Sequence, residues 1–243
     1  MTLTRRNTLL AAVWLALLAS AGTWWWQNKV FHYLPGSTDE FVALFPPPSA
    51  ADSAATRREL DELLELQRAR TPAQVDTAQD DRTKDVSRFY AALGFDPADP
   101  PKLPALKTLT DHVEADIGPY VRAAKDKFRR LRPYKIEPRL KPCIGNVQGD
   151  LSYPSGHATY GYVMEGVLAE LVPERRVSLE RRADDFARQR MMCGVHFRSD
   201  LEAGRTGAHY LVEHLNESAQ FRRDAHSASS ELRAALELPE KPP

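Results

Sequence analysis

The sequence predicts an all-α fold, and three observations carry that expectation. From Leu106 to Leu131 apolar residues return every third or fourth position for about seven turns, as one face of a helix requires. Nowhere along the 243 residues does an alternating apolar and polar run of the strand type appear. Cap signals sit where periodic segments begin and end, as at Thr71-Pro72 and at Gly94. A hydrophobic content of 42% beside 27% charged residues is that of a folded chain able to bury one sizeable core.

The first thirty residues differ from the rest. Arg5 and Arg6 precede an apolar run from Leu9 to Leu18, followed by Ala19-Ser20-Ala21. A basic start, a short apolar stretch and a small-x-small site read as a signal peptide over residues 1–21. Extended to Trp26, the same run reaches the minimum length of a membrane anchor, with Trp24, Trp25 and Trp26 at the interface. Thr4-Arg5-Arg6 also suits a twin-arginine signal, but the residues after it fit poorly. Export is therefore expected, to the periplasm or the medium, with membrane contact only if this segment stays uncleaved. No second apolar run is long enough to span a bilayer, so the remainder is expected to be soluble.

Residues 22–49 read as an extended lead-in, because Phe31 to Ser49 is punctuated by Pro and Gly and ends in Pro46-Pro47-Pro48. A helical domain is expected over 50–243. Asp52 or Ser53 caps a helix carrying Leu60, Leu63 and Leu64. Thr71 caps the next, with Pro72 at its first position; Val75, Ala78, Val86, Phe89 and Leu93 form its face and Gly94 stops it. After a Pro-rich loop over 97–104 comes the long periodic helix, which Pro119 should kink and Pro133 should end. Further helices are expected from near Ser155 to before Pro173, and from Glu174 to about Cys193 with a break at Gly194. Another starts near Ser199 and runs through Leu215. The last stretch, to Leu238, is polar and weakly periodic, and no function is read from it.

Lys plus Arg equals Asp plus Glu at 33 each, so the formal net charge is zero. A nucleic-acid partner would show as a basic excess or stripe, and none is present. A local nest of cations remains open to the chain, and three short constellations supply one. The first is Lys125 with Arg132-Pro133; a separation of seven puts both cations on one helical face, although Lys and Arg on a helix are usually a solvated surface. The second is Pro154-Ser155-Gly156-His157 at a helix start, where free N–H groups, the dipole and the Ser155 hydroxyl suit an anion and Gly156 allows close approach. A plain helix cap is the bland alternative. The third is Arg190, His196 and Asp200. A carboxylate four residues after a histidine reaches a ring nitrogen and fixes its tautomer, leaving the other nitrogen as a nucleophile, and Arg190 offers a fork for phosphate oxygens. Alone it reads more readily as a surface salt bridge. Taken together the pieces provide three cations, a helix N-terminus, a hydroxyl, two histidines and an orienting acid. No dense carboxylate cluster of the kind a magnesium site needs accompanies them, so no metal and no cofactor is expected. That inventory suits phosphoryl transfer by positioned charge.

Lys-x6-Arg-Pro, then Pro-Ser-Gly-His, then Arg-x5-His-x3-Asp resembles the signature of the type 2 phosphatidic acid phosphatase superfamily, to which the vanadium haloperoxidase fold is related. Within it the chain is most similar to the class A bacterial nonspecific acid phosphatases. Ala124-Lys125-Asp126, Leu151-Ser152-Tyr153 and Cys193-Gly194-Val195-His196 with Ser199-Asp200 carry that likeness. The resemblance covers about 34–215, strongly from Lys125 to Asp200. It implies a compact helical domain and a metal-independent acid phosphatase acting on small-molecule phosphate monoesters. On its terms His196 forms a phosphohistidine with Asp200 holding its ring. His157 protonates the leaving group and then activates water, and Lys125, Arg132, Ser155, Gly156 and Arg190 hold the phosphoryl oxygens. The rate should then trace a bell on the acid side of neutrality. Two cysteines in an oxidising compartment could pair or remain unrelated thiols; in this family the cysteine before the second motif bonds to that in the third, which implies Cys143–Cys193. The family also implies a homo-oligomer, dimeric or larger. Gln189 replaces a serine and Phe197 a tryptophan of the family pattern, which bears on pocket shape and substrate range. His32, His112, His209, His214 and His226 have no matching partners and read as surface or packing residues.

Other readings share parts of this inventory. A vanadate-dependent haloperoxidase uses a similar constellation in a generally larger chain. A membrane-anchored lipid-phosphate phosphatase would need the N-terminal segment uncleaved. A non-catalytic phosphate binder would capture without turnover, and transfer to an alcohol in place of water suits the same residues.

Overall fold

A computed structural model describes residues 31–145, 147 and 149–240; the segment read as signal peptide or anchor lies outside the described residues. Among the described residues every regular element is helical, apart from one isolated antiparallel bridge between Leu131 and Leu151. The order is α1 (Asp39–Ala43), α2 (Ala54–Ala69), α3 (Pro72–Asp80) and a 3-10 turn (Val86–Phe89) running into α4 (Tyr90–Leu93). Then come α5 (Pro104–Phe128), α6 (Pro133–Ile136), α7 (Gly156–Leu171), a second 3-10 turn (Pro173–Arg175), α8 (Arg176–Met192), α9 (Arg198–Glu217) and α10 (Ala219–Ala235). No helix among the described residues is long and apolar enough to cross a membrane.

α7 is the centre of the core. Tyr160, Val163, Met164, Val167 and Leu168 bury most of its circumference, and a helix apolar on nearly all sides has to be enclosed. α8 and α9 pack most closely against it, while α5 lies against α7 and α10. Small residues permit the approach of α9. A Cβ on Gly204 would stand 3.0 Å from both the Ser155 carbonyl oxygen and the Thr159 amide nitrogen, so the α9 backbone rests on the first turn of α7. That contact fixes two of the three motifs relative to each other.

Four segments differ from the sequence expectation. The supposed extended lead-in carries α1 and part of the core, with Phe41 fully buried against Phe45, Tyr120 and Tyr210. Ahead of it the amides of His32, Tyr33 and Leu34 donate to the Asp116 carboxylate at 2.9, 2.8 and 3.0 Å, so long-range bonds replace the missing local ones. The helix expected from Pro72 to Leu93 breaks after Asp80. Asp81 turns inward to accept from Arg88 at 2.8 Å and Arg182 at 2.5 Å, and Asp85 caps the Ser87 amide at 2.9 Å. α5 ends at Phe128, before Pro133, because Arg129 adopts φ 51 as a left-handed cap. The polar last stretch forms α10, capped by Ser218, with Phe221, Ala228 and Leu232 buried.

Cys143 and Cys193 form a disulfide with a Cα separation of 4.7 Å, packed with Ala78, Ile144, Met192 and Val195. It ties the loop after α6 to the end of α8.

Candidate active site

The three motifs meet at the N-terminal ends of α7 and α9. Ser155 caps α7: its hydroxyl accepts from the Ala158 amide at 3.3 Å and its own amide donates to the Asp200 carbonyl at 2.9 Å. Gly156 is the first residue of α7, where a Cβ would press on Val121 at 3.3 Å. His157 follows, its ring stacked near Phe186 at a centroid distance of 5.9 Å and its Nε2 3.0 Å from the Arg82 carbonyl oxygen. A carbonyl only accepts, so Nε2 carries the proton in this arrangement.

His196 lies two residues before α9, and Asp200 in that helix's first turn. The four-residue spacing brings the pair together, although the contact crosses the Phe197 cap and is not made within α9. Nδ1 of His196 stands 3.2 Å from Asp200 Oδ2, and Nε2 stands 3.0 Å from Arg132 Nη1. Asp200 can only accept and a guanidinium can only donate, so the proton sits on Nδ1 and Nε2 holds the lone pair. Burial, then Arg132, Lys125 and Arg190, hold this imidazole well below its usual range, which keeps the ring neutral. Asp200 is fully buried and also accepts from the Phe197 amide at 2.9 Å.

Lys125 and Arg132 do not share one continuous helix, since the left-handed Arg129 separates them. Pro133 favours extended backbone at Arg132, and the bridge across Leu131 and Leu151 returns the segment to the site. Arg132 donates to the Gly149 and Val195 carbonyls at 2.9 and 3.0 Å. Lys125 Nζ donates to the Leu151 carbonyl at 2.7 Å; burial and then Arg132 lower its ammonium to about 7. Arg190, on the last turn of α8, is 3% exposed, and its Nε and Nη1 have no hydrogen-bond partner among the described residues. Burial and then Arg132 bring it down to about 9, so it stays charged at neutral and acid pH. Two buried guanidinium nitrogens without partners are costly, and an oxyanion is the group that would satisfy them.

Sequence reasoning missed three participants. Arg130 bonds Asp200, Glu59 supports Arg130, and the Arg82 carbonyl holds His157. A backbone carbonyl has no sequence signature. Arg130 had a faint one: in an extended segment residues 130 and 132 point the same way, and Leu131 between them is 47% exposed. Phe197, fully buried, lies under the Arg130 guanidinium at 3.8 Å. Among the described residues no group of three His, Cys, Asp or Glu side chains converges as a metal site.

No protein-family model matches the chain. It is 28% identical over 214 residues to an acid phosphatase of Zymomonas mobilis, covering 86% of this chain and 80% of that protein. It is 30% identical over 149 residues to a non-specific acid phosphatase of Providencia stuartii, covering 59% of each. Among solved structures, a bacterial vanadium-dependent iodoperoxidase shares the fold with a TM-score of 0.59 at 20% identity, over 79% of this chain and 56% of that one.

Proposed function

Because the chain is a homologue of the bacterial non-specific acid phosphatases, we propose that it hydrolyses phosphate monoesters in acid through a phosphohistidine on His196, with no step routed through a metal. The observation that carries this reading is the state of His196. Asp200 fixes Nδ1 as the protonated nitrogen, and the Nε2 lone pair faces Arg132. Lys125 and Arg190 are the other cations acting on it.

A substrate dianion would draw Arg132 from Nε2 to its own oxygens, with Arg190 and Lys125 completing the cradle and the α7 N-terminus contributing amides. Nε2 then attacks phosphorus in line with the ester oxygen. The N–P bond forms as the P–O bond breaks, and the leaving alkoxide takes a proton from His157. In the second half His157 removes a proton from water, which attacks phosphorus and releases His196 with inorganic phosphate. Ser155 and Gly156 serve by shaping the turn that presents these amides.

His157 has to gain its proton on binding. Burial, followed by Arg190, keeps its pKa well below the usual value in the free protein. A neighbouring dianion reverses that influence, so substrate binding takes up a proton and kcat/KM falls as pH rises toward neutrality. The same reading includes export, supported by the Cys143–Cys193 disulfide, which forms and persists in oxidising compartments.

The test is hydrolysis of p-nitrophenyl phosphate in EDTA across acid to neutral pH, with His196→Ala in parallel. Turnover that survives the chelator and drops by about a thousandfold or more in the variant supports the reading. A folded wild-type chain without turnover, or an active His196→Ala variant, overturns it.

A further inference from the structure

Arg130 lies outside the three motifs and is 7% exposed. Its Nη1 donates to Asp200 Oδ1 at 2.8 Å and to Ser199 Oγ at 2.7 Å, and its Nη2 donates to Glu59 Oε2 at 2.7 Å. Glu59 on α2 closes the ring by accepting from the Ser199 amide through Oε1 at 2.8 Å. The guanidinium is thus held by α2, by the start of α9 and by the Phe197 face. It takes the oxygen of Asp200 that His196 leaves free.

We propose that Arg130 is a positioning residue for the reaction: by engaging Oδ1 of Asp200 it holds His196 as a neutral nucleophile, protonated on Nδ1 alone, under acid conditions. This rests on the phosphohistidine reading. A carboxylate bonded to a histidine favours the charged ring, which has no lone pair to attack with. An acid-working nucleophile therefore needs that influence offset. The charged groups acting on the pair are Lys125 of α5, Arg130 and Arg132 of the segment before α6, His157 of α7, Arg190 of α8 and, through Arg130, Glu59 of α2. Lys125, Arg132 and Arg190 help to keep the ring neutral in the free protein, but they are also the phosphoryl-binding groups. A bound dianion cancels their effect when attack must occur. Arg130 bonds the far oxygen of Asp200, so its charge stays on the carboxylate throughout. In keeping with that geometry, burial pushes the Asp200 carboxyl up and Arg130 leads the groups that keep it ionised.

The experiment compares wild type, Arg130→Met, Arg130→Lys and Glu59→Gln in the full chain. It reads the acid limb of kcat with p-nitrophenyl phosphate, which reports the substrate-bound state, and, separately, the His196 ring titration by NMR in saturating sulfate. In Arg130→Met both midpoints are expected to rise by about one pH unit, and kcat at acid pH to fall on the order of tenfold with a smaller change in KM. Arg130→Lys restores most of the loss. Glu59→Gln removes the opposing carboxylate and moves both midpoints the other way, to lower pH. Midpoints that stay in place in Arg130→Met while kcat falls would reduce Arg130 to a packing role and overturn the proposal. Should Arg130→Met not fold, Glu59→Gln decides, because an unmoved or raised midpoint there contradicts the charge coupling. A wild type without turnover would instead defeat the phosphatase reading. The NMR midpoint in sulfate still reports on Arg130 in that event.

Discussion

A buried carboxylate has four lone-pair positions to satisfy, and Asp200 meets four donors: Arg130 and the Ser152 hydroxyl at Oδ1, the Phe197 amide and His196 at Oδ2. The spacing of His196 and Asp200 was readable because a four-residue interval brings two side chains together whether or not a full helical turn separates them. Arg130 was only faintly readable, since in Arg129-Arg130-Leu131-Arg132 its alternation with Arg132 counts only once the backbone is known to be extended there. Asp200→Asn keeps the shape but sets the wrong tautomer on His196; kcat should fall on the order of a thousandfold with KM little changed, measured by steady-state kinetics. Lys125 gives a pH prediction with a definite sign. Its ammonium, lowered to about 7, is charged in the free protein below that value and neutral above it. Anion binding above pH 7 must therefore return a proton to it. The inhibition constant of sulfate, a dianion throughout, should gain one proton's worth of weakening, up to about tenfold per pH unit. Lys125→Met should bind sulfate more weakly at acid pH and lack that component of the slope.

At the scale of elements, the long periodic helices were legible because each has one face to bury. α5, α7, α8 and α9 fall within a few residues of the spans expected from sequence. The failures share a cause: side chains competing with the helical backbone. Asp81 and Asp85 break the expected 72–93 helix by pairing with Arg88, Arg182 and the Ser87 amide, and Asp116 recruits the backbone of 32–34. Such partners are distant in sequence, so periodicity is blind to them. The close contact of α9 on α7 carries a prediction. Gly204→Ala would force a Cβ against the backbone of Ser155 and Thr159, costing about 1–3 kcal/mol of stability. It should also lower kcat, because the displaced turn bears His157. Gly166→Ala meets the Val212 side chain at 2.8 Å, farther along α7, and should lower the melting temperature while leaving kcat near wild type. Thermal melts beside p-nitrophenyl phosphate kinetics separate the two outcomes.

Across the whole molecule, helices distant in sequence bring their ends to one place, and a single covalent link braces it. The disulfide joins Cys143 and Cys193 across a sequence separation of 50, closing a loop that contains the second motif. Loop-closure entropy credits such a bridge with about 4 kcal/mol, so Cys143→Ser with Cys193→Ser should lose up to that in denaturant unfolding. The all-helical class, the convergence of the motif residues and the cysteine pairing were all anticipated, the pairing through family resemblance. Neither the contribution of α1 to the core nor the ring of Arg130, Glu59 and Ser199 was anticipated. Both depend on which surfaces meet after folding, information that no local window of sequence contains. The claim on which the account rests is that His196 carries the phosphoryl group. Mixing the full chain with excess p-nitrophenyl phosphate, quenching in alkali during turnover and sequencing the peptides by mass spectrometry tests it most directly. One phosphoryl group is expected on the peptide bearing His196, disappearing as substrate is exhausted and absent from His196→Ala. Sustained turnover with that peptide unmodified, or with the group on another residue, would contradict it.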